Sequence, residues 1–219
     1  MEISLKKAQK YEINTFKEYL DNLGLTKNDL IGKKILDIGA GLRMFAGYCI
    51  KNKINTNIYC VEPHPERRVP EEEEFLKKLW SDELRKKIDS KTVKAFCSSL
   101  PFNDESFDLV TLHCFVPGMD PFSINPNKAE IIIMEKDINQ SFDEICRVLK
   151  KGGEARMYPF YGKKIEPYAL TWKQMIDKKL SQIDKNKFDI INEFIRFERL
   201  NNNPNNVEQE FTRLIITKL

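Results

Sequence analysis

The chain has 219 residues, with 36 Lys and Arg against 33 Asp and Glu and a formal charge of +3. At about 150 residues per domain, that length predicts one domain with additions, able to bury a core without disulfides or a structural metal. The near-balanced charge argues against a dedicated nucleic-acid binder, and 41% hydrophobic with 32% charged residues lies far from the composition of a disordered chain.

No run approaches the roughly 18 apolar residues of a membrane span. The segment Met1-Glu2-Ile3-Ser4-Leu5-Lys6-Lys7 lacks the apolar run and cleavage site of a secretion signal. Cys49, Cys60, Cys97, Cys114 and Cys146 are scattered, with no CxxC pair. They read as reduced thiols, and a cytoplasmic protein is expected. Two histidines, His64 and His113, are too few for a His-built metal site, so no metal is expected.

Residues 1–24 read as an amphipathic helix, with Ile13, Phe16, Leu20 and Leu23 on one face and Gly24 as its stop. The run Lys33-Lys34-Ile35-Leu36-Asp37-Ile38 then ends at Gly39-Ala40-Gly41, as a buried parallel strand does. A helix over 43–52 and a second strand over 57–62 complete a βαβ unit. Residues 66–91 form a charged helical insert with eight acids and eight bases, helical over about 70–88. A third strand is expected over 92–96 and a fourth over 107–112. The loop at about 116–128 follows, with three prolines. A helix carrying Ile138, Phe142, Ile145 and Leu149 is expected to stop at Lys150-Lys151-Gly152-Gly153, followed by a fifth strand over 154–160. After a helix over 170–183, two β-rich runs flank an Asn/Pro turn and read as an antiparallel hairpin. The whole is an α/β fold: one Rossmann-like, doubly wound domain spanning 1–219, with a mostly parallel sheet.

Ligands of such sheets bind outside the carboxyl ends of the strands. The glycine turn lies there, and its backbone admits close approach. It does not meet GxGxxG, because Met44 occupies the third glycine position. Asp37 precedes the turn; it either meets a cationic or hydroxylated ligand or caps the next turn. Glu62 ends the second strand and is placed to accept from ribose hydroxyls, unless it is a surface acid.

In order along residues 33–160, the turn at 37–41, Glu62, the LPF…DESFD run at 100–108 and RVLKKGG at 147–153 resemble the class I S-adenosylmethionine-dependent methyltransferases of the small, single-domain, type 11-like kind. The resemblance implies a seven-stranded sheet, the cofactor S-adenosyl-L-methionine and methyl transfer. It implies backbone of Gly39, Ala40 and Gly41 against the methionine part and Asp37 near the ammonium. Glu62 would bind the ribose, Pro63 would flank the adenine, and Phe96, Cys97 and Ser98 would face the adenine edge. His113 and Phe115 would border the transfer site. Two departures stand out. Phe96 occupies a place often held by an acid, and Arg43 a place often held by a small residue, where it either contacts the cofactor carboxylate or crowds the site.

His113 is the candidate catalytic base, with packing as its alternative; Tyr158 and Tyr161 are candidates for the acceptor pocket, and His64 for contact with the adenine. Phe115, Val116, Met119, Phe122 and Ile124 would give the Pro-rich loop an apolar face, which suggests a small, partly apolar acceptor. Lys150, Lys151, Arg156, Lys163 and Lys164 read as a solubilising face or as a contact for RNA. Rival readings are a non-catalytic methyltransferase-like partner subunit, an RNA or protein methyltransferase, and a nicotinamide-dependent oxidoreductase.

Overall fold

The computed structural model describes residues 4–67, 69–115, 117, 127–161, 167–199 and 208–219. Among them, helix α1 spans Leu5–Leu23, capped by the Ser4 hydroxyl, which accepts from the Lys7 N–H, and closed by Gly24 at φ 62°. Its buried residues are Ala8, Glu12, Phe16, Tyr19, Leu20, Asn22 and Leu23. Ile13 is not among them, correcting the expected face. Glu12 takes the core position because its two oxygens accept from Trp80 Nε1 and Lys51 Nζ, each at 2.7 Å.

Strands β1 (Lys34–Ile38), β2 (Asn57–Val61), β3 (Thr92–Val93), β4 (Phe107–His113) and β5 (Leu149–Tyr161) run parallel. Strands β6 (Phe188–Arg199) and β7 (Glu208–Lys218) close the sheet, β7 antiparallel to both β5 and β6, in the order β3-β2-β1-β4-β5-β7-β6. This is the expected seven-stranded Rossmann-like sheet. A 3-10 helix (Asn28–Leu30) and helices α2 (Met44–Lys51), α3 (Pro70–Leu79), α4 (Asp82–Asp89), α5 (Lys128–Val148) and α6 (Pro167–Gln182) complete the described elements. None is long and apolar enough to cross a membrane.

Strand alternation decides which residues meet. Leu36, Ile38, Val110 and Leu112 face one core with Phe142 and Trp172 of α5 and α6. Ile35 and Leu109 face the other, with Phe16 and Tyr19 of α1 and Phe45 of α2. Asp37 and Thr111 are register partners, as are His113 and Tyr158. By alternation these four share the α1 face.

Three expectations are corrected. The insert is two helices. The chain turns extended at Trp80, whose indole packs under Gly47 and donates to Glu12, and Ser81 then caps α4. Strand β3 stops at Val93, which leaves Phe96 exposed at 61%. Leu149 begins β5 opposite Phe107 instead of ending α5, and residues 150–153 form a register shift before Glu154 meets Leu109. Gly152 at φ 74° permits that shift, while Lys150 reaches Asp108 at 2.8 Å.

Candidate active site

The turn after β1 holds three residues at positive φ: Gly39 (69°), Gly41 (50°) and Arg43 (58°). The Gly39 N–H donates to Val61 O at 2.9 Å, tying the turn to β2. The Gly41 N–H donates to Glu62 Oε2 at 3.2 Å. A side chain added at Gly41 would meet nothing within 4 Å, so this side of the turn is open. At Gly39 an added Cβ would lie 2.5 Å from the Phe115 ring. The turn is therefore walled by Phe115 on one side and open beside Glu62 on the other.

Asp37 is 2% exposed and tied to its neighbours. Tyr19 donates to its Oδ1 at 2.5 Å, and Thr111 Oγ1 lies 3.1 Å from the same oxygen. Burial pushes its carboxyl from 3.8 up to about 7, against the opposing effect of these two hydrogen bonds. The Tyr19 hydroxyl is raised as well, by burial and by the Asp37 charge.

His113 is half-buried, with Asn22 Nδ2 donating to its Nε2 at 3.1 Å. Its ring stacks on Tyr158 at 6.1 Å and tilts over Tyr19 at 4.7 Å. Burial lowers it from 6.5 to about 4, so it is neutral at pH 7 with its proton on Nδ1. Tyr158 is itself buried, at 3% exposure. Burial pushes the thiols of Cys49 and Cys97 up to about 12 and that of Cys146 to about 11; Cys60 and Cys114 are raised too. Such thiols are poor nucleophiles.

On the β3 side, exposed Phe96 meets the edge of His64 at 6.3 Å. Pro63 and Ser98 are half-buried, and Cys97 is buried. The loop that follows is fastened by Arg147, whose Nη1 donates to Phe102 O and Asp104 and whose Nη2 donates to Leu100 O. Glu144 Oε2 accepts from the Leu100 N–H at 2.7 Å. Two sequence motifs thus meet in a loop brace rather than in chemistry.

A family model for a methyltransferase domain matches residues 36–157, more than half of the chain. The chain belongs to this methyltransferase family. Its cofactor is S-adenosylmethionine. No curated protein matches the sequence. Two solved structures share the fold. An rRNA-methylase candidate of Clostridium thermocellum is 13% identical with TM-score 0.52, over 95% of this chain and 96% of that one. A SAM-dependent methyltransferase of Methanosarcina mazei is 16% identical with TM-score 0.50, over 85% and 92%.

The residues of the methyltransferase domain fit this cofactor. Gly41 leaves backbone approach open, and Glu62 stands at the lip with an oxygen already oriented by the turn. The fold brings Asp37, the glycine turn, Glu62 and Phe115 to one sheet edge, with Phe96 and His64 together beside it. Arg43 is buried and turns toward α4, with Nη1 3.7 Å from Asp89. Val116, Met119, Phe122, Ile124, Lys163, Lys164 and the Tyr161 side chain lie outside the described residues. Lys150 is paired with Asp108, and Arg156 with Glu154 and the Leu23 and Gly24 carbonyls. Sequence reasoning missed Tyr19, Asn22 and Thr111. The one signal for Tyr19 and Asn22 was their spacing on the buried face of α1.

Proposed function

We propose that this protein transfers a methyl group from S-adenosylmethionine to a small, partly apolar acceptor. The observation that carries the reading is the Glu62 carboxylate held by the Gly41 N–H at the open lip of the glycine turn. When bound, the cofactor supplies a methyl group already activated on a sulfonium, so the chain's main contribution is alignment. Glu62 accepts from the ribose hydroxyls. Pro63, Phe96 and His64 give the adenine apolar and aromatic contact, with Cys97 and Ser98 at its edge. The backbone of Gly39, Ala40 and Gly41 admits the methionine part. A cation near Asp37 offsets the cost of ionising that buried carboxyl, which suits the cofactor's ammonium.

His113 and Phe115 border the methyl end. With Nε2 accepting from Asn22 and the ring neutral at pH 7, His113 orients the acceptor through its Nδ1–H. The acceptor class is supported by a cleft of about 350 Å³ next to the glycine turn at Leu42, with Tyr11 and Phe75 as its apolar walls and Lys7, Glu71 and Glu72 at its rim; His113 and Phe115 do not line it. An RNA acceptor is less favoured, because Lys150 and Arg156 are engaged by acids.

The second reading is a non-catalytic, methyltransferase-like partner subunit. The Phe115 ring against Gly39 favours it, since that ring narrows the turn. Calorimetry with S-adenosylmethionine and S-adenosylhomocysteine separates the two. Saturable binding of either supports the enzyme. Binding of neither sinks that reading and leaves the partner subunit.

A further inference from the structure

Beside the cofactor edge, a polar cleft of about 580 Å³ opens between the N-terminal end of α2, edge strand β3 and the α3–α4 insert. Neither the glycines of the turn nor Glu62 or Phe96 lines it. Among the described residues its walls carry three cations, Arg43, Arg85 and Lys94, and three carboxylates, Glu66, Glu73 and Asp89. Two of the cations are matched: Lys94 reaches Glu66 at 3.0 Å, and Arg85 reaches Glu73 at 2.8 Å and also Asp82.

Arg43 is different. It is 2% exposed, and its Nε and Nη2 have no hydrogen-bond partner among the described residues. Its nearest acid, Asp89, stands 3.7 Å from Nη1, beyond hydrogen-bond reach. Nε and Nη2 form the side edge of the guanidinium, the fork that takes two oxygens of one group. Elsewhere in this protein that edge is engaged by carboxylates. Arg147 places it on the two oxygens of Glu144 at 2.7 and 2.8 Å, while Arg156 and Arg213 each place it on one oxygen, of Glu154 at 3.0 and 2.7 Å and of Glu193. A buried guanidinium stays charged and cannot relieve unmet donors by losing a proton. The Nε of Arg85 is likewise buried without a partner among the described residues.

We propose that this cleft binds an oxyanion group, a carboxylate or a phosphate, on the Nε–Nη2 edge of Arg43, with Arg85 Nε as a second donor. No described hydrogen bond holds the Arg43 guanidinium, and an oxyanion reaches its buried Nε–Nη2 edge by a turn of the side chain that gives up the 3.7 Å ion pair with Asp89. Among the described lining residues cations and carboxylates are equal in number, and the fork, not bulk attraction, selects the ligand. Of the residues assigned to the cofactor only Arg43 lines this cleft, and the proposal does not depend on the cofactor reading.

Titration calorimetry of the whole protein, at low ionic strength in chloride, tests this with inorganic phosphate and with acetate, which separate the two sources. Saturable one-to-one binding of at least one anion is expected. Arg43→Lys keeps the charge but loses the fork, and should weaken that binding by about tenfold or more while circular dichroism stays native. Should Arg43→Lys fail to fold, Arg85→Lys is the second variant, with a several-fold loss expected. Binding of neither anion to the unaltered protein overturns the proposal, as does unchanged affinity in the folded variant. Displacement of the anion by S-adenosylhomocysteine also overturns it, because the oxyanion position would then belong to the cofactor. Retained anion binding with that ligand present supports two sites.

Discussion

The Tyr19 hydroxyl donates to Asp37 Oδ1 at 2.5 Å, joining the N-terminal helix to the strand end before the glycine turn. Thr111 Oγ1 lies 2.7 Å from the Tyr19 oxygen, so helix, β1 and β4 share one buried polar contact. Tyr19→Phe should cost about 1–3 kcal/mol of stability, because Asp37 would keep only Thr111 in a site closed to water. Chemical denaturation measures this; a change within error would show that the contact contributes nothing net.

Asp37 and His113 give opposite dependences of stability on pH. The Asp37 carboxyl titrates at about 7 in the folded protein against 3.8 normally. Its contribution is therefore full below about pH 4 and lost as pH rises to about 7. His113 titrates at about 4 against 6.5, so its contribution is full above about pH 6.5 and lost as pH falls toward 4. In the shared window the two effects oppose each other. Asp37→Asn should leave the His113 dependence alone, giving a steeper loss of Tm on acidification. It should also raise stability at pH 8 by up to about 4 kcal/mol, since no buried charge forms there. Parallel Tm profiles for variant and parent would contradict the Asp37 assignment.

Glu62→Ala should weaken S-adenosylhomocysteine binding by about 1–3 kcal/mol, roughly fivefold to 150-fold. Its Tm should stay within about 1 °C, because the link to the Gly41 N–H is exposed. Full affinity in this variant would remove the ribose role.

The two glycines of the turn should respond unequally to alanine. Gly39→Ala meets both a positive φ and the Phe115 ring at 2.5 Å, and should cost about 2–4 kcal/mol. Gly41→Ala meets only the positive φ and should cost about 1 kcal/mol. Phe115→Ala should recover the steric share at Gly39 and leave the backbone share. Equal costs, read by urea unfolding, would show that Phe115 does not pack there.

Trp80→Phe should destabilise by about 1–3 kcal/mol, since Glu12 Oε1 loses its indole donor while buried. Trp80→Phe combined with Glu12→Gln should cost less than the sum, because the two residues share one contact. Strict additivity in a double-mutant cycle would dissolve the pair.

The sequence by itself determined the fold class, the cofactor family and the presence of the five parallel strands and the closing hairpin. Short continuous apolar runs ending at glycine or an acid are local signals, and the Asp37 to Gly41 and Glu62 positions could be read from them. Only the tertiary structure decided what those residues touch. Tyr19 is 18 positions from Asp37 and Asn22 is 91 from His113; they meet because α1 docks on one face of the sheet and alternation turns Asp37, Thr111 and His113 toward it. The same docking places Glu12, not Ile13, in the core, because a buried carboxylate with two partners is stable where an unpaired one is not. From the sequence Arg43 either contacts the cofactor carboxylate or crowds the site; its burial beside α4 made its unmet donors visible. Hydrophobic period is carried by neighbours in the chain, while the pairing of buried polar groups is a property of the packed whole.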